Sequence, residues 1–111
     1  MEPIERLLLV TTVPPENLDA LLQAISAAGA GVLGEYSECA FVVTGRGRFR
    51  ASASADPAVG EAGALNVVDE VRVETWVERS KARAVVAALR RAHPYEEPVI
   101  YLTALEDEST I

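Results

Sequence analysis

Apolar positions along the chain fall into blocks whose spacing switches between the strand and helix periods. Leu7-Leu8-Leu9-Val10-Thr11-Thr12-Val13 is short, apolar and β-branched at its end, and Pro14-Pro15 stops it. That predicts a buried strand. Leu18, Leu21, Leu22 and Ile25 fall at i, i+3, i+4 and i+7, which predicts a helix over about 15–28 with one apolar face. Pro15 suits its first turn, where a missing N–H leaves nothing unpaired, and Gly29 and Gly31 end it. Residues 34–44 alternate, with Cys39, Phe41 and Val43 on one side and Glu38, Ala40 and Val42 on the other. Gly45-Arg46-Gly47 reads as a tight turn that returns a second strand over 48–52. Residues 53–66, rich in Ala, Gly, Ser and Asp with Pro57, read as a loop.

Val71, Val73, Thr75 and Val77 alternate with polar residues and Trp76 as a strand with one apolar face. Ala82, Val85, Val86 and Leu89 form the inner stripe of a helix over about 80–92. His93-Pro94 ends it, because the residue before proline avoids the α region. Val99–Leu105 is the last strand, and the polar tail 106–111 is expected to fray.

Two strand–helix–strand units in one short chain predict an α+β, ferredoxin-like split βαβ sandwich. It is read as a single domain over 1–111, with its core at about 7–105. The first strand and Val99-Ile100-Tyr101-Leu102 are apolar at consecutive positions, which calls for cover on both faces of the sheet. Two helices cover one face. The other is expected to meet further copies of the chain, with the 53–66 loop as the competing cover.

Half of the residues are hydrophobic yet six are aromatic, which suits a globule and argues against disorder. A net charge of −7 repels phosphate backbones, so neither nucleic acid nor membrane is expected as a partner. Arg46, Arg48 and Arg50, at alternate positions, read as a solvated strand face. One cysteine excludes an internal disulfide. The start Met1–Arg6 lacks a basic region, and the apolar run that follows is too short for a signal peptide or a spanning helix. The cytoplasm is the expected compartment.

Cys39 and His93 are the single cysteine and histidine. A structural zinc site takes three or four such ligands, so no metal or other cofactor is expected. A symmetric assembly that gathers copies is the remaining route to a divalent cation. Gly60-Glu61-Ala62-Gly63 lacks the Lys-Ser/Thr of a phosphate-cradling loop, and turn chemistry accounts for its glycines. The densest polar cluster is His93-Pro94-Tyr95-Glu96-Glu97-Pro98. Its chemistry fits a rigid helix-to-strand turn, slightly favoured, or a rim facing a ligand or cation.

Ala92-His93-Pro94-Tyr95-Glu96-Glu97-Pro98 ahead of an apolar strand resembles the end of the insert domain in the YqfO-like, NIF-three-like family. Gly34-Glu35-Tyr36-Ser37-Glu38-Cys39-Ala40-Phe41 resembles that family's Gly-x-Tyr-x-x-Cys-x-Phe stretch. Gly45-Arg46-Gly47-Arg48-Phe49 resembles its Gly-x-Gly-x-Phe turn, and Pro57 with Gly60 and Gly63 its Pro-x-x-Gly-x-x-Gly loop. Glu70-Val71-Arg72-Val73-Glu74 resembles its strand before the last helix. The likeness spans about 7–102. It departs at Ala64, where relatives often carry Lys, and at Arg50-Ala51, where they often carry Pro.

The resemblance implies a stand-alone PII/CutA-like domain with a β-hairpin extension that assembles as a homotrimer. The flanking halves that hold the parent family's two-metal centre do not fit in 111 residues, so those ligands are not carried over. The function this implies is a non-enzymatic binding or regulatory module for a small ligand or protein partner. Its candidate residues are Tyr36, Cys39, Glu61, His93, Tyr95, Glu96 and Glu97. Two alternatives stand beside it. One is divalent-cation handling of CutA type by His93, Cys39 and carboxylates between subunits. The other is a small hydrolase-like enzyme in which His93 is the general base and Glu97 orients it.

Overall fold

The computed structural model describes residues 4–111. The apolar block at 7–13 lies inside a sheet. β1 (Arg6–Val13) pairs antiparallel with β3 (Leu65–Glu78) on one side and β4 (Tyr101–Leu105) on the other, and β2 (Phe41–Arg50) adds to the far edge of β3. The strand order is β2-β3-β1-β4. α1 (Leu18–Ala27), entered through a 3-10 turn at Pro15–Asn17, links β1 to β2, and α2 (Arg79–Ala92) links β3 to β4. Each helix thus joins two strands with a third between them, which is the ferredoxin-like split βαβ arrangement.

Alternation along β1 sends Leu7, Leu9, Thr11 and Val13 toward the helices, and the register sets Val77, Thr75, Val73 and Val71 opposite them. All eight are buried. Leu21 and Ile25 of α1 and Val85 and Leu89 of α2 close this core, with Leu18, Leu22 and Ala82 packed at its margin. Burying a side chain of this size stabilises by about 1.5–3 kcal/mol. This layer is therefore the main driving force of the fold.

The hairpin departs from the sequence reading. Gly45-Arg46-Gly47 is not a turn: β2 runs straight through it, paired from Phe41 opposite Glu74 to Arg50 opposite Leu65. Neither glycine has a positive φ. A Cβ on Gly47 would land on the Glu70 carboxylate, so this glycine leaves a bare lane for a cross-strand side chain. The turn lies instead at 51–64, where Gly60 and Gly63 take φ of +88° and +75°, and the loop is accordingly 51–64 rather than 53–66. The side chain of Asn66, a β3 residue, ties it internally: Oδ1 accepts from Glu61 N, and Nδ2 donates to the carbonyls of Glu61 and Ala64. The resulting arm stretches the molecule to 53 Å against 25 and 23 Å in the other directions. Residues 34–40 likewise precede β2 instead of belonging to it. The tail is a capped 3-10 turn at Glu108–Thr110, with the Asp107 carboxylate accepting from Ser109 N, rather than a frayed end. That bond holds the Asp107 carboxyl below its ordinary value.

The sheet face away from the helices carries Leu8 and Val10 of β1, Trp76 of β3, Phe41 and Val43 of β2, and Tyr101 and Leu105 of β4, as the register places them. Phe41 is 64% and Tyr101 60% exposed. Val43 and Leu105 are exposed as well, whereas Val10 is buried and Leu8 and Trp76 are half-buried, so the 51–64 loop leaves the two edges of this face uncovered.

Candidate functional site

Helix α2 ends because His93 leaves the α region (φ −84°, ψ 134°) while its N–H still bonds Leu89 O, as the following proline requires. The ring then folds back under the sheet end and is 6% exposed. Its Nε2 lies 2.7 Å from the Thr12 carbonyl and its Nδ1 accepts from the Tyr95 N–H at 3.2 Å. A carbonyl only accepts, so Nε2 carries the hydrogen and both ring nitrogens are committed. His93 is therefore a tie between β1 and the 94–98 turn. It is not a free base, and its nitrogens contact Thr12 and Tyr95 rather than Glu97. The reading of His93 as a base oriented by Glu97 is corrected on this geometry.

The tie presents Tyr95, Glu96 and Glu97 to a cleft of about 370 Å³ between the 94–99 segment and the arm. Phe49, Pro57, Val59 and Val99 supply apolar wall, and Thr12, Arg48, Arg50 and Glu70 polar lining. Glu96 Oε1 accepts from Asp56 N at 2.9 Å, which pins the loop across the cleft. The Tyr95 phenol stacks obliquely on His93 with centroids 4.8 Å apart. Burial, then the nearby negative charge of Glu70, pushes the phenol pKa up to about 12. The phenol faces the Glu70 carboxylate closely enough for its pKa to be raised by it, although among the described residues neither the phenol oxygen nor Glu70 Oε2 makes a hydrogen bond of ordinary geometry.

The other candidates lie apart. Gly31, at φ +78°, pairs with Cys39 through Cys39 N and Gly31 O at 3.0 Å and donates to Trp76 O. A Cβ there would sit 2.5 Å from Cys39 O, so the glycine closes the 31–39 loop against β3. Tyr36 is at its tip, 73% exposed. Cys39 borders a separate cavity of about 190 Å³ beside α1, off the strand on which alternation had placed it. Glu61 engages Asn66 through its backbone and does not line the cleft. The seven candidates thus divide: three line the cleft, His93 supports it, and Tyr36, Cys39 and Glu61 fall elsewhere. A cation site joining His93 to Cys39 does not form within the chain, and no group of three or more His, Cys, Asp or Glu is arranged for a metal among the described residues. Sequence reading missed Phe49 and Glu70. The signal for Glu70 was the Gly-x-Gly spacing opposite it, misread as a turn.

This geometry can be set beside known proteins. A GTP cyclohydrolase 1 type 2 homolog from Halalkalibacterium halodurans is 41% identical over 100 residues, covering 90% of this chain and 27% of that protein. One from Mycobacterium bovis is 48% identical over 97 residues, covering 86% and 25%. The crystal structure of a Bacillus cereus protein related to NIF3 superposes with a TM-score of 0.80 at 34% identity, over 96% of this chain and 27% of that one. By sequence and by fold, the chain matches one domain-sized segment of the NIF3-related proteins. It spans about a quarter of the length of the curated relatives it matches. No family model matches it. Beyond the NIF3-related proteins the fold recurs in CutA1 from Shewanella sp. SIB1, at TM-score 0.68 and 17% identity over 96% of this chain and 86% of that one. It recurs again in the Bacillus subtilis GlnK–ATP complex, at TM-score 0.62 and 13% identity over 91% and 82%. The ferredoxin-like, PII/CutA-like fold is thus shared across all three groups.

Proposed function

We propose that this chain is a PII/CutA-like binding or regulatory domain that takes a small ligand in the cleft between its arm and the 94–99 turn. The cleft carries the reading. It has the volume of a small-molecule site, mostly apolar walls, and a few polar groups converging on it. A buried histidine with both nitrogens occupied holds the rim. That favours binding over catalysis by His93, because a general base needs a free nitrogen within reach of substrate.

Self-association is the second part of the proposal, with the homotrimer as the assembly and the cytoplasm as the compartment. The uncovered face supports it: an exposed row of large apolar side chains on the body of a sheet is ordinarily covered by a partner. No helix of the described residues is long and apolar enough to cross a membrane.

A thermal-shift screen on the purified chain tests the ligand reading. A ligand at a hundred times its dissociation constant stabilises by about 2.7 kcal/mol. GlnK was solved with ATP, and CutA from Archaeoglobus fulgidus bears the name of a divalent cation tolerance protein, so ATP and divalent cations belong in the screen. Stabilisation that disappears when the cleft is filled by Ala58→Trp supports the proposal. Stabilisation unaffected by that change moves the site elsewhere.

A further inference from the structure

The charge on the sheet face that floors the cleft is a carboxylate. Glu70 reaches its floor over the bare backbone of Gly47, and Glu97 stands at its edge. The two ion pairs among the described residues, Arg72–Glu74 and Arg79–Glu5, use none of these carboxylates. Arg48 and Arg50 also border the cleft, but they alternate with Phe49 along β2 and so spring from the opposite strand face, where both are exposed. The floor therefore consists of the Glu70 carboxylate, the Tyr95 phenol beside it, and the rings of Phe49 and Tyr95.

A carboxylate beside aromatic faces in an apolar cleft attracts a cation twice over, by its charge and by the ring quadrupoles. An anion meets Glu70 and Glu97 unfavourably. A bare metal ion has no apolar surface to bury against Phe49, Pro57 and Val59. We infer that the ligand of this cleft is a small organic cation, an ammonium group carrying a short apolar body, with the ammonium toward Glu70 and Tyr95 and the body against Phe49 and Val59. This rests on the reading of the cleft as the ligand site and adds the chemical class.

Benzylamine and benzoate test this, since they share a body and differ in the sign of charge. Backbone amide shifts of Phe49, Val59 and Glu97 are followed by NMR as each is added at millimolar concentration. Benzylamine is expected to shift them saturably and benzoate not, and Glu70→Gln to weaken the amine by about tenfold, the loss of one charge-assisted contact. Equal binding of benzoate, or amine binding unchanged in Glu70→Gln, overturns the cation assignment. So does magnesium chloride acting alone in place of the amine. Ala58→Trp separates the two levels. If benzoate binds and Ala58→Trp abolishes it, the cleft stands and the cation falls; if benzylamine binds equally well to Ala58→Trp, the cleft reading itself is wrong. Binding of neither compound overturns both.

Discussion

Replacing His93 by alanine is the sharpest probe of how the cleft is built. The ring is 6% exposed and makes two hydrogen bonds, to Thr12 O at 2.7 Å and from Tyr95 N at 3.2 Å. Each such bond contributes about 1 kcal/mol net, but a buried group left without its partner costs about 1–3 kcal/mol. Water can reach the Tyr95 N–H more readily than the Thr12 carbonyl, because the 94–98 turn is more exposed than β1. One orphaned carbonyl, one partly recovered N–H and the void left by the ring together give a loss of roughly 2–4 kcal/mol. For a domain near this size that corresponds to a fall in melting temperature of roughly 10–20 °C. Urea denaturation at fixed protein concentration measures it. His93→Gln, which can still reach one partner, should lose about half as much. A loss below about 0.5 kcal/mol for His93→Ala would refute the tie, and if ligand binding vanished at the same time the residue would be functional rather than structural.

Four further outcomes are expected. Tyr95 has a folded pKa of about 12 above an ordinary value of 10.0, so its stabilising contribution is complete below pH 10 and is lost as pH rises toward 12; the full shift would be worth about 2.7 kcal/mol, which screening at this partly exposed ring reduces to roughly 1 kcal/mol, and Tyr95→Phe should unfold less steeply over that range than the parent. Gly31→Ala should cost more than about 1 kcal/mol, because the residue needs a positive φ and its Cβ would strike the Cys39 backbone; an unchanged melting temperature would show that the 31–39 loop is not docked. Light scattering after gel filtration should give a mass near three chains, and Phe41→Glu with Tyr101→Glu should yield monomer; a parent that is already monomeric at micromolar concentration sinks the assembly proposal. Hydrogen exchange should be fastest in 51–64, with the amides of Glu61 and Asp56 slowed relative to their neighbours by Asn66 and Glu96; uniform protection equal to that of Val71–Val77 would contradict a surface loop.

Periodicity alone determined β1, both helices, the 71–77 stretch of β3 and their order, while it cut β2 in two at Gly45-Arg46-Gly47. Consecutive apolar positions at 7–13, the i, i+3, i+4 stripe of α1 and the alternation of 71–77 each record the number of buried faces, which is a local property of the pattern. Even the open sheet face was legible, because β1 and β4 carry more apolar residues than two helices can cover. The tertiary structure decided what depends on which strand lies opposite. Gly47 looks like turn chemistry until Glu70 is seen to lie across it, since the same missing Cβ serves a tight turn and a side-chain lane alike. His93 sits eighty-one residues from Thr12, whose carbonyl fixes its tautomer, and no spacing rule reaches that far. The grouping of Tyr95, Glu96 and Glu97 with Phe49 and Glu70 follows from the length of the β2–β3 arm. Hydrogen-bond register sets that length, and register is a property of two strands together.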